Sequence, residues 1–278
     1  MSGTLPEPKL KIMLVGLTGD GKTSVMNTLL GRDQKHGRSA SSQTTECKRE
    51  TVKRGDQELV IIDTPGVLNT EKKEEKKVKK DIAEVIAGAA LDDGPHVFLL
   101  VMQAKVFSEK DKEAVEIIQK IFGDGFEDYT LVLFTYGGKL VPTYKDVEKI
   151  EFLKKFIQGD HSVHSFENIE CKNVNGEEKE KQVSDLVEKI NKMVEKNRER
   201  NGPRYTSDML KKAQEIQKQI EKEIEKSEHN GTNEVIMRKT VEKFVNEVVG
   251  EPLVGLVFGI VKFAMEKVAK WVNKSKKR

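Results

Sequence analysis

The chain has 278 residues, 49 of them basic and 46 acidic, and a formal net charge of +3. This length is sufficient for one complete α/β core and a further appendage, while the small net charge and the lack of a recognisable motif argue against nucleic-acid binding. Two cysteines, Cys47 and Cys171, cannot form a disulfide framework, so both are expected to stay reduced. The five histidines show no metal-ligand spacing.

The first predicted strand, Leu10–Val15, leads through a glycine-rich segment into a predicted helix, Thr23–Leu30. Residues 16–23 read GLTGDGKT, the complete pattern G-x-x-x-x-G-K-[ST]. Because glycines let the backbone wrap closely around an anion at a helix N-terminus, this pattern predicts phosphate binding. An ordinary glycine-rich turn is the alternative. The predicted nucleotide-binding residues of this segment are Gly16, Leu17, Thr18, Gly19, Asp20, Gly21, Lys22, Thr23 and Ser24.

Two side chains of this segment have predicted roles. Lys22 should reach the β- and γ-phosphates of a nucleotide, and the Thr23 hydroxyl should hold Mg²⁺. The polar segment 39–47 comes after the first helix, and a threonine there could add a Mg²⁺ ligand in the triphosphate state. Thr44 is favoured over Thr45, and a Ser/Thr-rich loop without a ligand is the alternative.

Two predicted strands, around residues 47–53 and 58–63, come next. The second ends in Asp63-Thr64-Pro65-Gly66, where a carboxylate follows an apolar run and precedes a turn. Asp63 can hold Mg²⁺ indirectly, and the amide of Gly66 can sense a γ-phosphate. Alone this would be a strand-to-turn signal, but about forty residues after a phosphate loop it matches the second nucleotide motif of GTPases.

The remaining elements alternate between helix and strand. We predict a helix at 81–90, a strand at 97–102, a helix at 109–121, a strand at 130–135, a helix at 145–157, a short strand near 163–166 and a helix at 178–196. This order predicts an α/β fold, a doubly wound and mostly parallel sheet of the P-loop NTPase type. The phosphate site should then lie at the carboxyl ends of the strands.

Beyond Gly202-Pro203 only helices are predicted. Residues 209–228 carry an amphipathic stripe that could pack on the preceding domain or form a short coiled coil, with an isolated solvated helix as the alternative. The apolar stretch 252–261 is too short to span a membrane, so the segment 250–278 should contact a partner protein, the chain's own domain or a membrane surface. The predicted divisions are a flexible N-terminus (1–8), an α/β domain (9–203) and an all-helical C-terminal extension (204–278).

These motifs, in this order and spacing, resemble the GTPases of immunity-associated proteins, the GIMAP or AIG-type family. The resemblance rests on residues 16–23, on Thr44-x-x-Cys47, on residues 63–66 and on the GPHVFLLV segment at 94–101. It covers about residues 9–205. It implies a G domain that binds GTP or GDP with Mg²⁺ held by Thr23, Thr44 and Asp63. It also implies homo-oligomers formed through that domain. The composition, with two cysteines that form no disulfide framework, predicts a cytoplasmic protein, peripheral on an intracellular membrane if the tail binds one.

The sequence departs from the usual GTPase motifs in two places, and the first bears on hydrolysis. Gly66 is followed by Val67-Leu68-Asn69, without the glutamine that orients water in Ras-like enzymes, so no catalytic residue is assigned. A switch or assembly module with slow hydrolysis is therefore expected. A scaffold with relaxed nucleotide specificity and an NTPase with useful turnover are the alternatives.

The base-binding positions agree less well with the family. The fourth motif reads Thr135-Tyr136 and places Gly138 where an acidic residue is usual. Tyr136 could stack on any purine. In the fifth motif Glu167 could supply the missing carboxylate, and Asn168 keeps an amide for the base edge. These four residues, Thr135, Tyr136, Glu167 and Asn168, are the predicted base-side contacts.

Overall fold

The computed structural model describes residues 8–32, 47–66, 94–135, 142–166 and 176–206. These residues form a six-stranded sheet in the order β2-β3-β1-β4-β5-β6. The strands are β1 (Lys9–Val15), β2 (Lys48–Arg54), β3 (Gln57–Asp63), β4 (Val97–Gln103), β5 (Thr130–Thr135) and β6 (Val163–Ser165). The α-helices are α1 (Lys22–Leu29), α2 (Glu109–Phe122), α3 (Tyr144–Val147) and α4 (Gly176–Arg200). Short 3-10 turns occupy Phe126–Tyr129, Lys154–Phe156 and Asp160–Ser162.

The sheet is parallel except at one edge. Strand β2 runs antiparallel to β3, to which it is joined by a tight turn containing Gly55, whereas β3, β1, β4, β5 and β6 are parallel. The register pairs Leu14 of β1 with Asp63 of β3 and with Leu99 of β4. The carboxyl ends of the central strands therefore meet at one edge of the sheet, where the phosphate loop begins.

The central strands are buried on both faces because their sequences are almost continuously apolar. One face is covered by α1 and α4, whose apolar stripes meet residues such as Ile12 and Leu99. The other face carries an aromatic cluster in which Phe98 of β4 contacts Phe122 and Phe126. Each fully buried apolar side chain contributes about 1.5–3 kcal/mol, so this double layer stabilises the sheet that positions the site.

The predicted doubly wound, mostly parallel α/β fold is confirmed, and six strands lie within two residues of their predicted bounds. The predicted helix at 145–157 is wrong. A capping box between Thr143 and Asp146 starts α3, which ends at Val147. The buried residues Val147 and Phe156 are nine positions apart, which would place them on opposite sides of one continuous helix, so a single apolar stripe could not bury both.

Other predictions fall outside the described residues: the helix at 81–90, the helices after residue 206 and the tail at 250–278. The final described helix, α4, is longer than the predicted 178–196 at both ends. None of the helices in the described ranges is long and apolar enough to cross a membrane.

Candidate nucleotide-binding site

The phosphate loop connects β1 to α1 and depends on glycines for two separate reasons. Gly16 has φ of +147°, and a Cβ atom built there would lie 2.3 Å from the carbonyl oxygen of Val101 on β4. Gly19 and Gly21 have φ of +95° and +91°, backbone angles that residues with a Cβ atom rarely adopt. Gly21 is the N-cap of α1, so the loop delivers its backbone amides to a helix N-terminus.

Lys22 crosses the phosphate loop from the first turn of α1. Its ammonium group donates hydrogen bonds to the carbonyl oxygens of Gly16 at 3.1 Å and Leu17 at 2.7 Å, and only 6% of the residue is exposed. Burial lowers the pKa of Lys22, against the opposing effect of the carboxylates of Asp63 and Asp20. The cation is thus held beside the loop amides, where an anion could pair with it in a medium of low polarity.

Thr23 and Asp63 meet beside this lysine. The Thr23 hydroxyl donates to Oδ2 of Asp63 at 2.7 Å, and Asp63 is fully buried at the end of β3. The next residue, Thr64, donates to the carbonyl oxygen of Leu14 at 2.7 Å and so fixes the strand end against β1. A hydroxyl and a carboxylate are hard oxygen ligands of the kind that Mg²⁺ prefers.

The Thr23 hydroxyl and the Asp63 carboxylate suit Mg²⁺ better than a metal ion whose ligands all come from the protein. Across the ranges that the structure describes, no group of three or more His, Cys, Asp or Glu side chains could hold a metal ion. Mg²⁺ commonly takes one or two protein ligands and completes its octahedron with phosphate oxygens and water. The Thr23–Asp63 pair therefore suits an ion that arrives with a phosphate ligand.

Gly66 touches the phosphate loop directly. A Cβ at this position would lie 2.2 Å from Oγ1 of Thr18 and 2.4 Å from its backbone nitrogen. No side chain fits there without displacing backbone, so Gly66 permits the segment after β3 to approach the loop. The predicted partnership of the Asp63-x-x-Gly66 motif with the phosphate loop thus has a direct steric basis.

The outer side of the phosphate loop is held by residues at the ends of β4 and β5. Thr135 donates from Oγ1 to the carbonyl oxygen of Asp20 at 2.8 Å, and Gln103 donates from Nε2 to that of Gly19 at 3.0 Å. The Asp20 side chain is buried, and burial raises its pKa to about 6 against the lowering effect of the Lys22 and Lys105 charges. Sequence reasoning missed Gln103, whose signal was its position at the end of a strand next to β1.

The structure brings together most of the predicted site. The loop residues 16–24, Asp63, Gly66 and Thr135 lie at one edge of the sheet. Phe166, whose amide donates to the carbonyl oxygen of Phe134 at 2.9 Å, comes directly after β6 at the same edge. The other predicted contacts lie outside the described residues: Thr44, Tyr136, Glu167 and Asn168.

Comparison with known proteins finds relatives whose sequences are similar to most of this chain. Immune-associated nucleotide-binding proteins 9 and 10 of Arabidopsis thaliana are 29% and 31% identical over 75% and 76% of this chain. GTPase IMAP family member 8 of Mus musculus is 30% identical over 68% of it. The matches cover 61%, 46% and 28% of those three relatives, so this chain spans less than two thirds of their length.

Among solved structures, Toc33 from Arabidopsis thaliana in complex with Mg²⁺ and GMPPNP aligns with a TM-score of 0.48 and 20% identity. The alignment covers 66% of this chain and 85% of Toc33. The family model described as AIG1 family matches residues 10–224, which include the phosphate loop, Asp63 and Gly66. Since that match covers well over half of the sequence, the protein belongs to the AIG1 family.

Proposed function

We propose that this protein is a guanine-nucleotide-dependent switch and assembly module that binds GTP or GDP with Mg²⁺. The observation that carries the proposal is the meeting of the buried Lys22 with the Thr23–Asp63 pair beside a glycine-built loop. The names of the relatives agree with it, because they are described as nucleotide-binding proteins and a GTPase.

Lys22 provides the charge that the phosphates need. In our proposal its ammonium group turns from the carbonyl oxygens of Gly16 and Leu17 to the β- and γ-phosphates when nucleotide enters. The loop amides and the N-terminus of α1 accept the remaining phosphate charge. Lys22 is almost fully buried, so its hydrogen bonds to a charged phosphate would be stronger than its present hydrogen bonds to two neutral carbonyl oxygens.

Mg²⁺ would be held by Thr23, with Asp63 acting indirectly and Thr44 added in the triphosphate state. The bound ion would neutralise part of the phosphate charge. The Thr23 hydroxyl already lies at 2.7 Å from the Asp63 carboxylate, so the protein part of the site needs little rearrangement. Gly66, which lies against Thr18, would report a γ-phosphate to the segment after it.

The switch assignment rests on the three residues directly after Gly66. Val67-Leu68-Asn69 offers no glutamine to orient an attacking water, so we expect slow or partner-stimulated hydrolysis. We propose assembly of copies through the G domain in the triphosphate state. A multiple-turnover phosphate-release assay, with light scattering in a GTP analogue, separates this switch from an NTPase with useful turnover.

Guanine selectivity is the second part of the proposal. Tyr136 would stack on the base, while Glu167 and Asn168 would bond its edge in place of the acid absent at Gly138. The alternative is a scaffold with relaxed nucleotide specificity. Competition between GTP and ATP for the intact protein decides: equal affinities would favour the scaffold.

We also propose a cytoplasmic protein whose segment 250–278 associates with a partner, with its own domain or with the surface of an intracellular membrane. That segment combines the apolar run 252–261 with Phe263, Trp271 and a basic end. Apolar surface next to lysines is the composition of helices that lie on anionic membranes.

The substitution Lys22→Ala tests nucleotide binding directly. It removes the charge facing the β- and γ-phosphates, so affinity for a fluorescent GTP analogue with Mg²⁺ should fall at least about 100-fold, or roughly 2.7 kcal/mol. The matched control is Lys9→Ala, which removes an exposed lysine at the other end of β1 and should leave binding unchanged. Sub-micromolar affinity in Lys22→Ala would contradict the assignment of the phosphate site.

A further inference from the structure

The phosphate loop contains an acidic side chain that a phosphate-binding loop does not need. Asp20 lies two residues before Lys22, and only 4% of it is exposed. Its backbone is fixed, because its carbonyl oxygen accepts the hydrogen bond from Thr135. Above its pKa of about 6 the Asp20 carboxyl is ionised and attracts the same ammonium group that phosphates require.

A second ammonium group acts on Asp20 from the segment after β4. Lys105 lies two residues beyond Gln103, whose side chain holds the Gly19 carbonyl of the loop. Its charge lowers the pKa of Asp20, as does that of Lys22. The charges of two lysines thus favour the ionised form of this carboxyl, while the negative charge of Asp111 on α2 acts in the opposite direction and raises the pKa of Asp20.

Lys105 is held in place by helix α2. Its Nζ lies 3.1 Å from Oδ1 of Asp111, and Asp111 is 1% exposed. Asp111 is itself fixed by Ser108, whose amide and hydroxyl donate to its Oδ2 at 2.7 and 2.6 Å. Burial opposes ionisation of Asp111, but the bonds from Ser108 and Lys105 outweigh it and lower its pKa. The Asp111 carboxylate is therefore ionised and fixes the lysine.

We propose that Lys105 is a positioning residue of the nucleotide site: anchored by Asp111, it offsets the charge of Asp20 and leaves Lys22 available for phosphate. This rests on the proposed nucleotide binding and deepens it. Without Lys105, the attraction of Asp20 for Lys22 would be uncompensated, and triphosphate affinity would fall. Without Asp20, Lys105 would have nothing to offset. The two residues should therefore be energetically coupled.

The test is a double-mutant cycle on the full chain, with affinity for a fluorescent GTP analogue and Mg²⁺ as readout. Lys105→Met should weaken binding about threefold to fivefold, the range expected for a half-exposed charge. Lys105→Arg should bind like the wild type. In the Asp20→Asn background, Lys105→Met should leave affinity unchanged. Lys110→Met, which removes an exposed lysine next to Asp111, controls for net charge and should also have no effect.

Each outcome separates this inference from the proposed function. A wild-type protein that binds no nucleotide overturns both. If the wild type binds nucleotide and Lys105→Met binds it with the same affinity, only the inference is overturned. The inference is also overturned if Lys105→Met loses as much affinity in the Asp20→Asn background as in the wild type. Melting temperatures without nucleotide show whether each variant is folded. Lys105→Gln, measured alongside, removes the same charge with a polar side chain and must reproduce the loss if Lys105→Met is unstable.

Discussion

Gly16 is constrained by the neighbouring strand as well as by any ligand of the phosphate loop. A Cβ atom on Gly16 would collide with the carbonyl oxygen of Val101, so the absence of a side chain lets β1 end close against β4. Gly66 is constrained in the same way by the phosphate loop, because a Cβ atom there would collide with Thr18. Glycines of a nucleotide motif can therefore be required by packing before any nucleotide is bound.

Replacing Gly16 with alanine should destabilise the protein itself. The Cβ would lie 2.3 Å from the Val101 oxygen, and φ of +147° adds strain, so we expect a loss of about 3 kcal/mol in the free energy of unfolding. Gly125→Ala is the control: its φ is +82° but no atom lies within 4 Å, so about 1 kcal/mol should be lost. Urea unfolding measures both, and equal losses would contradict the steric argument.

His96 should make stability depend on pH. Burial lowers its pKa to about 3, helped by the charges of Arg204, Lys11 and Arg198, and its Nδ1 accepts a hydrogen bond from the Lys11 amide at 2.8 Å. Because the unfolded pKa is higher, near 6.5, stability is complete above pH 6.5 and is lost as pH falls towards 3. At pH 5.5 the loss from this residue should be about 1.4 kcal/mol.

The variant His96→Asn isolates that contribution. Asparagine keeps an acceptor for the Lys11 amide but does not titrate, so the decline in unfolding free energy between pH 8 and pH 5.5 should be smaller than in the wild type. His164, whose pKa burial lowers to about 4, contributes a decline that both proteins share. Identical pH dependence in the two proteins would contradict the role given to His96.

At the scale of elements, the chain that leaves α4 is attached to the opposite face of the sheet. Tyr205 is 1% exposed, its amide donates to the carbonyl oxygen of Pro95, and its ring contacts Phe98 at 5.2 Å between centroids. Its hydroxyl donates to the carbonyl oxygen of Phe122 at the end of α2. Helix α4 covers one face of the sheet, and the residues after it close the other.

Tyr205→Ala should remove this attachment and cost about 3 kcal/mol of unfolding free energy, as for other buried aromatic residues. Tyr205→Phe keeps the ring contacts and loses one hydrogen bond, so about 1 kcal/mol should be lost. Thermal or urea unfolding of the full chain measures both losses, and Tyr205→Ala should lose more stability than Tyr205→Phe. A loss in Tyr205→Phe as large as in Tyr205→Ala would show that the hydroxyl, and not the ring, makes the attachment.

At the scale of the whole molecule, the segment 250–278 is proposed to bind outside the nucleotide site. If its partner is an anionic membrane, the full chain should sediment with acidic vesicles and be released by high salt, because Lys262, Lys267 and Lys270 supply the attraction. A chain lacking 250–278 should not sediment. Neutral vesicles are the control.

If the segment instead docks on protein, its deletion should lower the melting temperature or change the oligomeric state, and vesicles should capture neither form. Deletion without effect on vesicle binding, melting temperature or oligomeric state would contradict every role proposed for the segment. The apolar run of ten residues at 252–261 is too short for a span in any of these outcomes.

The sequence by itself determined the fold class, the central strands and the phosphate site. Continuous apolar runs such as β4 have few alternatives to a buried strand, and the GLTGDGKT loop between strand and helix fixes its own chemistry locally. Asp63 was predictable because parallel strands align their carboxyl ends, and its hydroxyl partner Thr23 belongs to the adjacent motif.

Only the tertiary structure decided which residues surround that loop. Gln103, Lys105 and Asp111 belong to no motif, and their position depends on how β4 and α2 lie against the loop. The early end of α3 is likewise decided by packing, since Val147 and Phe156 are both buried although one continuous helix would place them on opposite sides. Local pattern specifies an element where burial is periodic, whereas contacts between distant segments depend on the packed sheet.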